Sequence, residues 1–251
     1  MQKKYSYLIA LALIIFFSAC ECKKNYELKS FDGYNVVMDK SFDENKNAAA
    51  DSVYNVYRVH AAVIMDSVIG FNNVFMDIGL SEESLLGNFA ADVVASAAEE
   101  IFDTKIDVGL MNRGGLRTSL PEGNVTLGHV FSVLPFENRV SLLEVKGSDL
   151  RRLFDGFAEH RPQCISRVKL VIKDNKLLNV LIGNELIDDN KIYKVATIDF
   201  LAEGNNNMAA LKNAVSRTDS EVLIRDAMAK YIRENSPVSS KKDGRIIFEE
   251  Q

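Results

Sequence analysis

Between Leu85 and Gly115 the sequence changes its period, and that run limits the possible folds more than any other. Leu85, Leu86, Phe89, Ala90, Val93, Val94 and Ala97 recur at i, i+3, i+4, i+7 and i+8, the spacing of one apolar helical face. Ser81-Glu82-Glu83-Ser84 supplies capping residues and first-turn acids, and the helix should end near Phe102. Ile106 to Met111 then reads as a short buried strand, broken by Gly114-Gly115. A helix that buries one face and leads at once into a strand must pack on a sheet that continues elsewhere in the chain.

The rest of the sequence supplies that sheet. Val53–Met65 reads as a helix and Ser67–Phe71 as a strand. Thr126 can cap a short helix through Val133, which Pro135 ends, because a residue before proline is pushed out of the helical region. Val140 to Val145 is a strand, Gly147 a turn, and Ser148 the cap of a helix over Asp149–Phe157. Val168 to Ile172 and Leu177 to Ile182 form a meander around turns at Asp174 to Lys176 and Gly183 to Glu185. Tyr193 to Ile198 is a further strand, Glu221 to Asn235 an amphipathic helix, and Arg245 to Phe248 a closing strand. Strands and helices do not strictly alternate. The expected fold class is therefore α+β, a mixed β-sheet packed with helices.

A net charge of -5 with 26% charged residues describes an acidic globular body. No basic run is long enough for a nucleic-acid polymer as partner. Three cysteines, Cys20, Cys22 and Cys164, make no disulfide framework, and the three histidines, His60, His129 and His160, are far apart.

Residues 1–19 read as a leader. Lys3 and Lys4 form a basic start, and Leu8 to Phe17 is an apolar core shorter than the about 20 residues of a spanning helix. Phe17-Ser18-Ala19-Cys20 resembles a bacterial lipobox, which implies lipid attachment at Cys20; an ordinary secretory leader and an uncleaved anchor are the alternatives. Two acyl chains there would hold the chain to a membrane. The expected organisation is a leader over 1–19, a lipid-anchored tether over 20–50 and a folded domain over 51–251, facing the periplasm or the cell surface from a bacterial envelope.

Two glycine-rich turns carry candidate chemistry. In Asn112-Arg113-Gly114-Gly115-Leu116-Arg117, adjacent glycines let a ligand approach the backbone closely. Asn112 offers both a donor and an acceptor, and Arg117 a planar fork suited to phosphate or carboxylate. The same run also reads as a tight turn with surface arginines. Phe136 lies between Pro135 and Glu137-Asn138, and Phe200 lies in Asp199-Phe200-Leu201-Ala202-Glu203-Gly204. Singly, each ring reads most simply as core; as a pair beside polar turns, they could stack on a flat base.

These runs together resemble the C-terminal domain of the 5′-nucleotidase family. The resemblance also takes in Leu86-Gly87-Asn88 with Ala91-Asp92, Val133 to Asn138, Val145-Lys146-Gly147, Tyr193 to Thr197, and Asp243-Gly244-Arg245-Ile246, in order over roughly 60–250. It implies a nucleotide or nucleoside as ligand. Phe136 and Phe200 would stack on the base, Asn112 would contact base or sugar, and Arg117 would contact phosphate. Gly114, Gly115, Asn138, Gly204 and Asn206 would complete the site. The second turn departs from the family pattern of Gly-Gly-Asp-Gly and an aromatic: here Asn206 replaces the aspartate that would grip the ribose. Asparagine tolerates left-handed angles, so the turn itself should survive. Where the family carries an arginine before the Gly-Asn pair, this chain has Ser81 to Ser84, with acids, which favours a ligand of lower charge.

In that family the chemistry belongs to a separate metallophosphoesterase domain with two divalent metals. The sequence here contains no His-x-His, Asp-x-His or Gly-Asn-His, and no visible nucleophile–base pair. The expectation is therefore no cofactor and no catalytic residue in this chain. It would be a substrate-binding half acting with a separately encoded metallophosphoesterase chain. The alternative is a non-catalytic envelope lipoprotein that kept the fold.

Overall fold

The structure, a computed structural model, describes residues 28–30, 32–37, 39–41, 47–79 and 83–249. The leader, Cys20, Cys22 and the Ser81-Glu82 pair lie outside the described residues. The chain divides after Asp51, and the body described below begins at Ser52. Helix α1 (Ala48–Met65) buries none of its residues and runs into strand β1 (Val68–Asn72). No helix among the described residues is long and apolar enough to cross a membrane.

The periodic run at Leu85 forms helix α2 (Leu85–Phe102), as its spacing predicts. Its cap is Ser84, whose hydroxyl accepts from Gly87 N at 3.1 Å. Glu83 does not act as a first-turn acid. It is buried, and its carboxylate accepts from Asn88 Nδ2 and from the Asp243 backbone N–H, each at 2.7 Å. The buried face of α2 lies on β2 (Val108–Met111), whose four residues are all buried. Contact is close enough that a β-carbon on Gly109 would stand 2.6 Å from Ala91 O, so this crossing requires a glycine.

Strand β3 (Gly123–Thr126) pairs antiparallel with β1, and Thr126 caps α3 (Leu127–Val133). The Thr126 hydroxyl accepts from His129 N at 3.2 Å, while His129 Nδ1 accepts from Thr126 N at 3.1 Å. His129 is thereby a capping residue. Strand β4 (Arg139–Lys146) leads into α4 (Gly147–Glu159). Ser148 is not the cap expected of it. The first turn of α4 donates instead to backbone carbonyls, Gly147 N to Lys191 O at 2.8 Å and Ser148 N to Asp189 O at 3.1 Å. A β-carbon on Gly147 would fall 2.0 Å from Asp188 O, so the glycine admits the capping loop.

Five strands follow before the next helix. They are β5 (Cys164–Ser166), β6 (Val168–Lys173), β7 (Lys176–Ile182), β8 (Glu185–Leu186) and β9 (Ile192–Ile198). The short helix α5 (Asp199–Ala202) precedes β10 (Ser216–Leu223), α6 (Ile224–Asn235) and β11 (Ile246–Phe248). The main sheet has the order β10-β4-β9-β2-β5, and a second sheet has the order β11-β6-β7-β8. Both are mixed: β2 pairs parallel with β9, and β11 parallel with β6, among antiparallel neighbours. The expected α+β architecture is the one observed. The helix expected from Glu221 begins only at Ile224, because Glu221 to Leu223 finish the edge strand β10.

Ion pairs bind the layers together. Arg245 Nη1 donates to Asp92 Oδ1 on α2 at 2.9 Å and to Ile165 O on β5 at 2.8 Å. Arg167 grips Glu99 through both guanidinium nitrogens and donates to Ile106 O. That bidentate grip holds the Glu99 carboxyl at about 2, well below its ordinary value.

Candidate functional site

Strand direction decides what meets at one end of the main sheet. Strand β4 starts there and β9 ends there, since Val140 stands opposite Ile198 in their antiparallel pairing. Strand β2 runs parallel to β9, so Met111 reaches the same end. The segments beyond these strand ends carry Asn112, Phe136 with Asn138, and Phe200, which are distant in sequence. They enclose a cleft of about 280 Å3 lined by Asn112, Gly114, Gly115, Phe136, Asn138, Phe200 and Asn206. That size lies at the small end of small-molecule pockets, roughly 300–1,000 Å3.

After β2, Arg113–Gly115 make one turn of 3-10 helix, closed by Gly115 N donating to Asn112 O at 3.1 Å. The Asn112 side chain folds back over this turn and is 4% exposed. A β-carbon on Gly115 would lie 2.6 Å from Asn112 Oδ1, so only glycine lets the carboxamide rest there. Asn112 Oδ1 is buried and accepts no hydrogen bond from the protein. An unmet buried acceptor costs about 1–3 kcal/mol. A donor entering the cleft would relieve that cost.

The Phe136 loop is held from behind by the start of α6. Ile224 N donates to Asn138 O at 2.9 Å. Arg225 donates to Pro135 O at 3.4 Å and to Glu137 Oε1 at 3.1 Å, with its guanidinium 4.6 Å from the Phe131 ring centre. Fixed on both flanks, Phe136 points outward and is 48% exposed. Sequence reasoning did not find Arg225. Its signal is tertiary, since the arginine contacts a loop nearly ninety positions away in sequence.

Phe200 sits on α5 and is 40% exposed. Asp199 Oδ1 accepts from Phe200 N at 2.7 Å, and Asn205 Nδ2 donates to Phe200 O at 2.8 Å. The second glycine turn survives its asparagines: Gly204, Asn206 and Asn207 have φ of 78°, 56° and 64°. Behind it Arg217 pairs with Asp219 at 2.9 Å, and that guanidinium holds the Asp219 carboxyl below its usual range. Neither Phe136 nor Phe200 has an aromatic partner among the described residues. The core reading for the two rings is therefore not the one observed.

Two expected site residues do not line the cleft. Gly204 supports the turn from below, where a β-carbon would press on Lys212 Cε at 2.9 Å. Arg117 is exposed, and its Nη1 donates to Gly114 O at 3.2 Å. The other arginine of the run, Arg113, is buried and donates to Ile78 O and Gly79 O at 2.8 and 2.9 Å.

Two further groups bear on chemistry. Cys164 is buried, and burial pushes its thiol up to about 12, leaving no thiolate at neutral pH. Among the described residues no group of three or more His, Cys, Asp or Glu side chains could hold a metal ion. The described residues therefore do not fit a two-metal centre.

The sequence matches the family described as "5′-nucleotidase, C-terminal domain" over residues 68–213. The "Silent protein UshA(0)" of Salmonella typhimurium is 28% identical over 148 residues, which is 57% of this chain and 27% of that protein. A 5′-nucleotidase of Diplobatis ommata is 25% identical over 250 residues, covering 87% of this chain and 43% of that one. In structure, the 5′-nucleotidase precursor from Thermus thermophilus superposes with a TM-score of 0.70 at 24% identity. That superposition covers 80% of this chain and 43% of the other. The chain thus spans less than half the length of these relatives.

Proposed function

Since the chain belongs to the 5′-nucleotidase C-terminal domain family, we propose that it binds a nucleotide or nucleoside in the cleft between Phe136 and Phe200 and serves nucleotide catabolism. One observation carries this reading. Two exposed phenyl rings and a buried, unpaired carboxamide oxygen converge on one small cleft from three separate segments. Rings left half-exposed without a partner suit stacking on a base, and Asn112 suits its polar edge.

Calorimetry with a panel of nucleosides and nucleotides tests the proposal. Binding that falls at least tenfold in both Phe136→Ala and Phe200→Ala supports it. Wild-type protein that binds none of them, or binding untouched by both substitutions, refutes it.

In this reading the chain supplies the nucleoside-gripping half of a phosphohydrolase. The two divalent metals, which would activate water and neutralise phosphoryl charge, belong to a separate metallophosphoesterase chain. The absence of a fitting ligand cluster among the described residues motivates that division. It fails if the purified chain alone releases phosphate from nucleotides in a metal-dependent way. Lipidation at Cys20 and a place at the bacterial envelope complete the proposal, from the Phe17 to Cys20 run. Labelling with a radioactive fatty acid that persists in Cys20→Ser would refute that part.

A further inference from the structure

Helix α1 leaves apolar side chains in solvent along its length. Val53, Val56, His60 and Val63 follow one another at spacings of three, four and three residues, the a and d positions of a heptad. They form one stripe, flanked by Tyr57 and Ile64 on one side and by Val59 on the other. The four valines, Tyr57 and Ile64 are each more than half exposed, and Val63 is 75% exposed. The charged residues of the helix, Asp51 and Arg58, fall on the opposite face, at f positions. A helix of this composition is ordinarily covered, and one of 18 residues is marginal in water when it stands alone. Its C-terminal end is seated on the body. A β-carbon on Gly128 would stand 3.0 Å from Met65 O, and Leu127 N donates to Ser67 O at 3.0 Å. No described residue covers the stripe itself.

We propose that α1 pairs in parallel with α1 of a second copy of this chain, independently of what the cleft binds. Three observations select that occupant. The stripe and its flanks present roughly 600 Å2 per copy, so a pair would cover about 1,200 Å2, the lower end for a stable specific interface. The chain as a whole carries a net charge of -5, so two copies repel over most of their surface. On α1 the charges cancel, and the flanking positions Ser52, Tyr57, Val59 and Ile64 carry none, so a like copy meets no repulsion there. The third observation is His60, a single polar residue in an otherwise valine stripe. Its Nδ1–H donates to Val56 O at 2.8 Å, which leaves Nε2 as the acceptor of the ring. In a parallel pair the two His60 rings meet each other between valine layers, where their ring nitrogens can share one water. An antiparallel pair would set each His60 against a valine, so the polar layer selects the parallel register.

The test measures mass and cross-linking of the whole chain in mild detergent. Sedimentation should give a dimer, and Val56→Glu with Val63→Glu should give a monomer whose thermal unfolding matches wild type. A wild-type monomer overturns the proposal, whether α1 is then covered by another segment of the chain or by a different protein. A dimer that survives both glutamates also overturns it, since the contact then lies elsewhere. Oxidation of single-cysteine variants, made in Cys22→Ser, reads the geometry without disturbing the fold, because each replaced side chain is in solvent. Val56→Cys and Val63→Cys should each form a disulfide-linked dimer at least about fivefold above Arg58→Cys, whose β-carbons would stand too far apart. Equal cross-linking at all three positions overturns the seam. Cross-linking at Val56→Cys without Val63→Cys overturns the parallel register.

Discussion

Asn112 and Asn206 aim their side-chain amides at the same point above Gly114. A β-carbon on that glycine would stand 3.7 Å from Asn112 Nδ2 and 3.6 Å from Asn206 Nδ2, in ordinary contact with both. The residues come from different loops, and the glycine keeps the space between them open.

Replacing either glycine of the pair should therefore have different effects. Gly114→Ala adds a methyl group to the cleft without a clash, so ligand affinity should drop about tenfold while the melting temperature barely moves. Gly115→Ala drives a methyl onto Asn112 Oδ1 and should cost about 1–3 kcal/mol of stability as well as binding. Thermal denaturation beside calorimetry separates the two. Equal destabilisation by both would contradict this geometry.

Phe136→Ala and Phe200→Ala remove rings that are only about half buried, so stability should fall by about 1 kcal/mol, less than for a core phenylalanine. Binding should weaken by about 1–3 kcal/mol for each. A large fall in melting temperature for either variant would return that ring to the core.

Arg225→Ala frees the carbonyl of Pro135, the carboxylate of Glu137 and the face of Phe131 together. A loss of about 1–2 kcal/mol in stability is expected, with weaker ligand binding although Arg225 does not line the cleft. Arg225→Lys keeps a cation over the ring and loses the fork, so it should recover part of the stability and little of the affinity. Full recovery of both by lysine would remove the fork from the explanation.

Asn206→Asp should keep the turn, since aspartate also tolerates a left-handed backbone. It places a negative charge on the cleft wall. Affinity for a monophosphate should fall relative to the free nucleoside, and the ratio should relax with added salt. An unchanged ratio at low salt would show that phosphate lies beyond the reach of this side chain.

Stability should depend on pH through Glu99. Its carboxyl is depressed from 4.5 to about 2 in the folded chain by Arg167. A depressed carboxylate stabilises the fold above its unfolded value, and the contribution disappears as pH falls from 4.5 toward 2. Glu99→Gln should lower the melting temperature at neutral pH and flatten its decline through that window. Parallel wild-type and variant curves would assign the acid sensitivity to other groups.

Much of this was legible along the chain where the information is local. The period of Leu85 to Ala97, the Thr126 cap, the stop at Pro135 and the asparagine-tolerated second turn depend on neighbours a few residues away. What escaped reading is settled by distant partners. Edge strand β10 is polar and buries only Ser220, so its sequence carries little alternation. The first turn of α4 is capped by carbonyls of the loop before β9, not by Ser148. The two arginines of the Asn-Gly-Gly run look alike in sequence, but only tertiary structure sends Arg113 to Ile78 and Gly79 and Arg117 outward.

The position of β9 between β4 and β2 has a consequence during synthesis. As the chain leaves the ribosome, Asn112 and Phe136 emerge early, beside the ends of two strands, β2 and β4, that are not each other's neighbours. The strand that spaces them correctly, and the second ring with it, arrive only later. A nascent chain ending before Ile192 thus holds five of the seven lining residues but lacks the second ring and the strand that spaces them. Ligand should protect stalled chains from proteolysis only once they extend past Met208, which makes nucleoside binding a reporter of the moment the central strand is inserted.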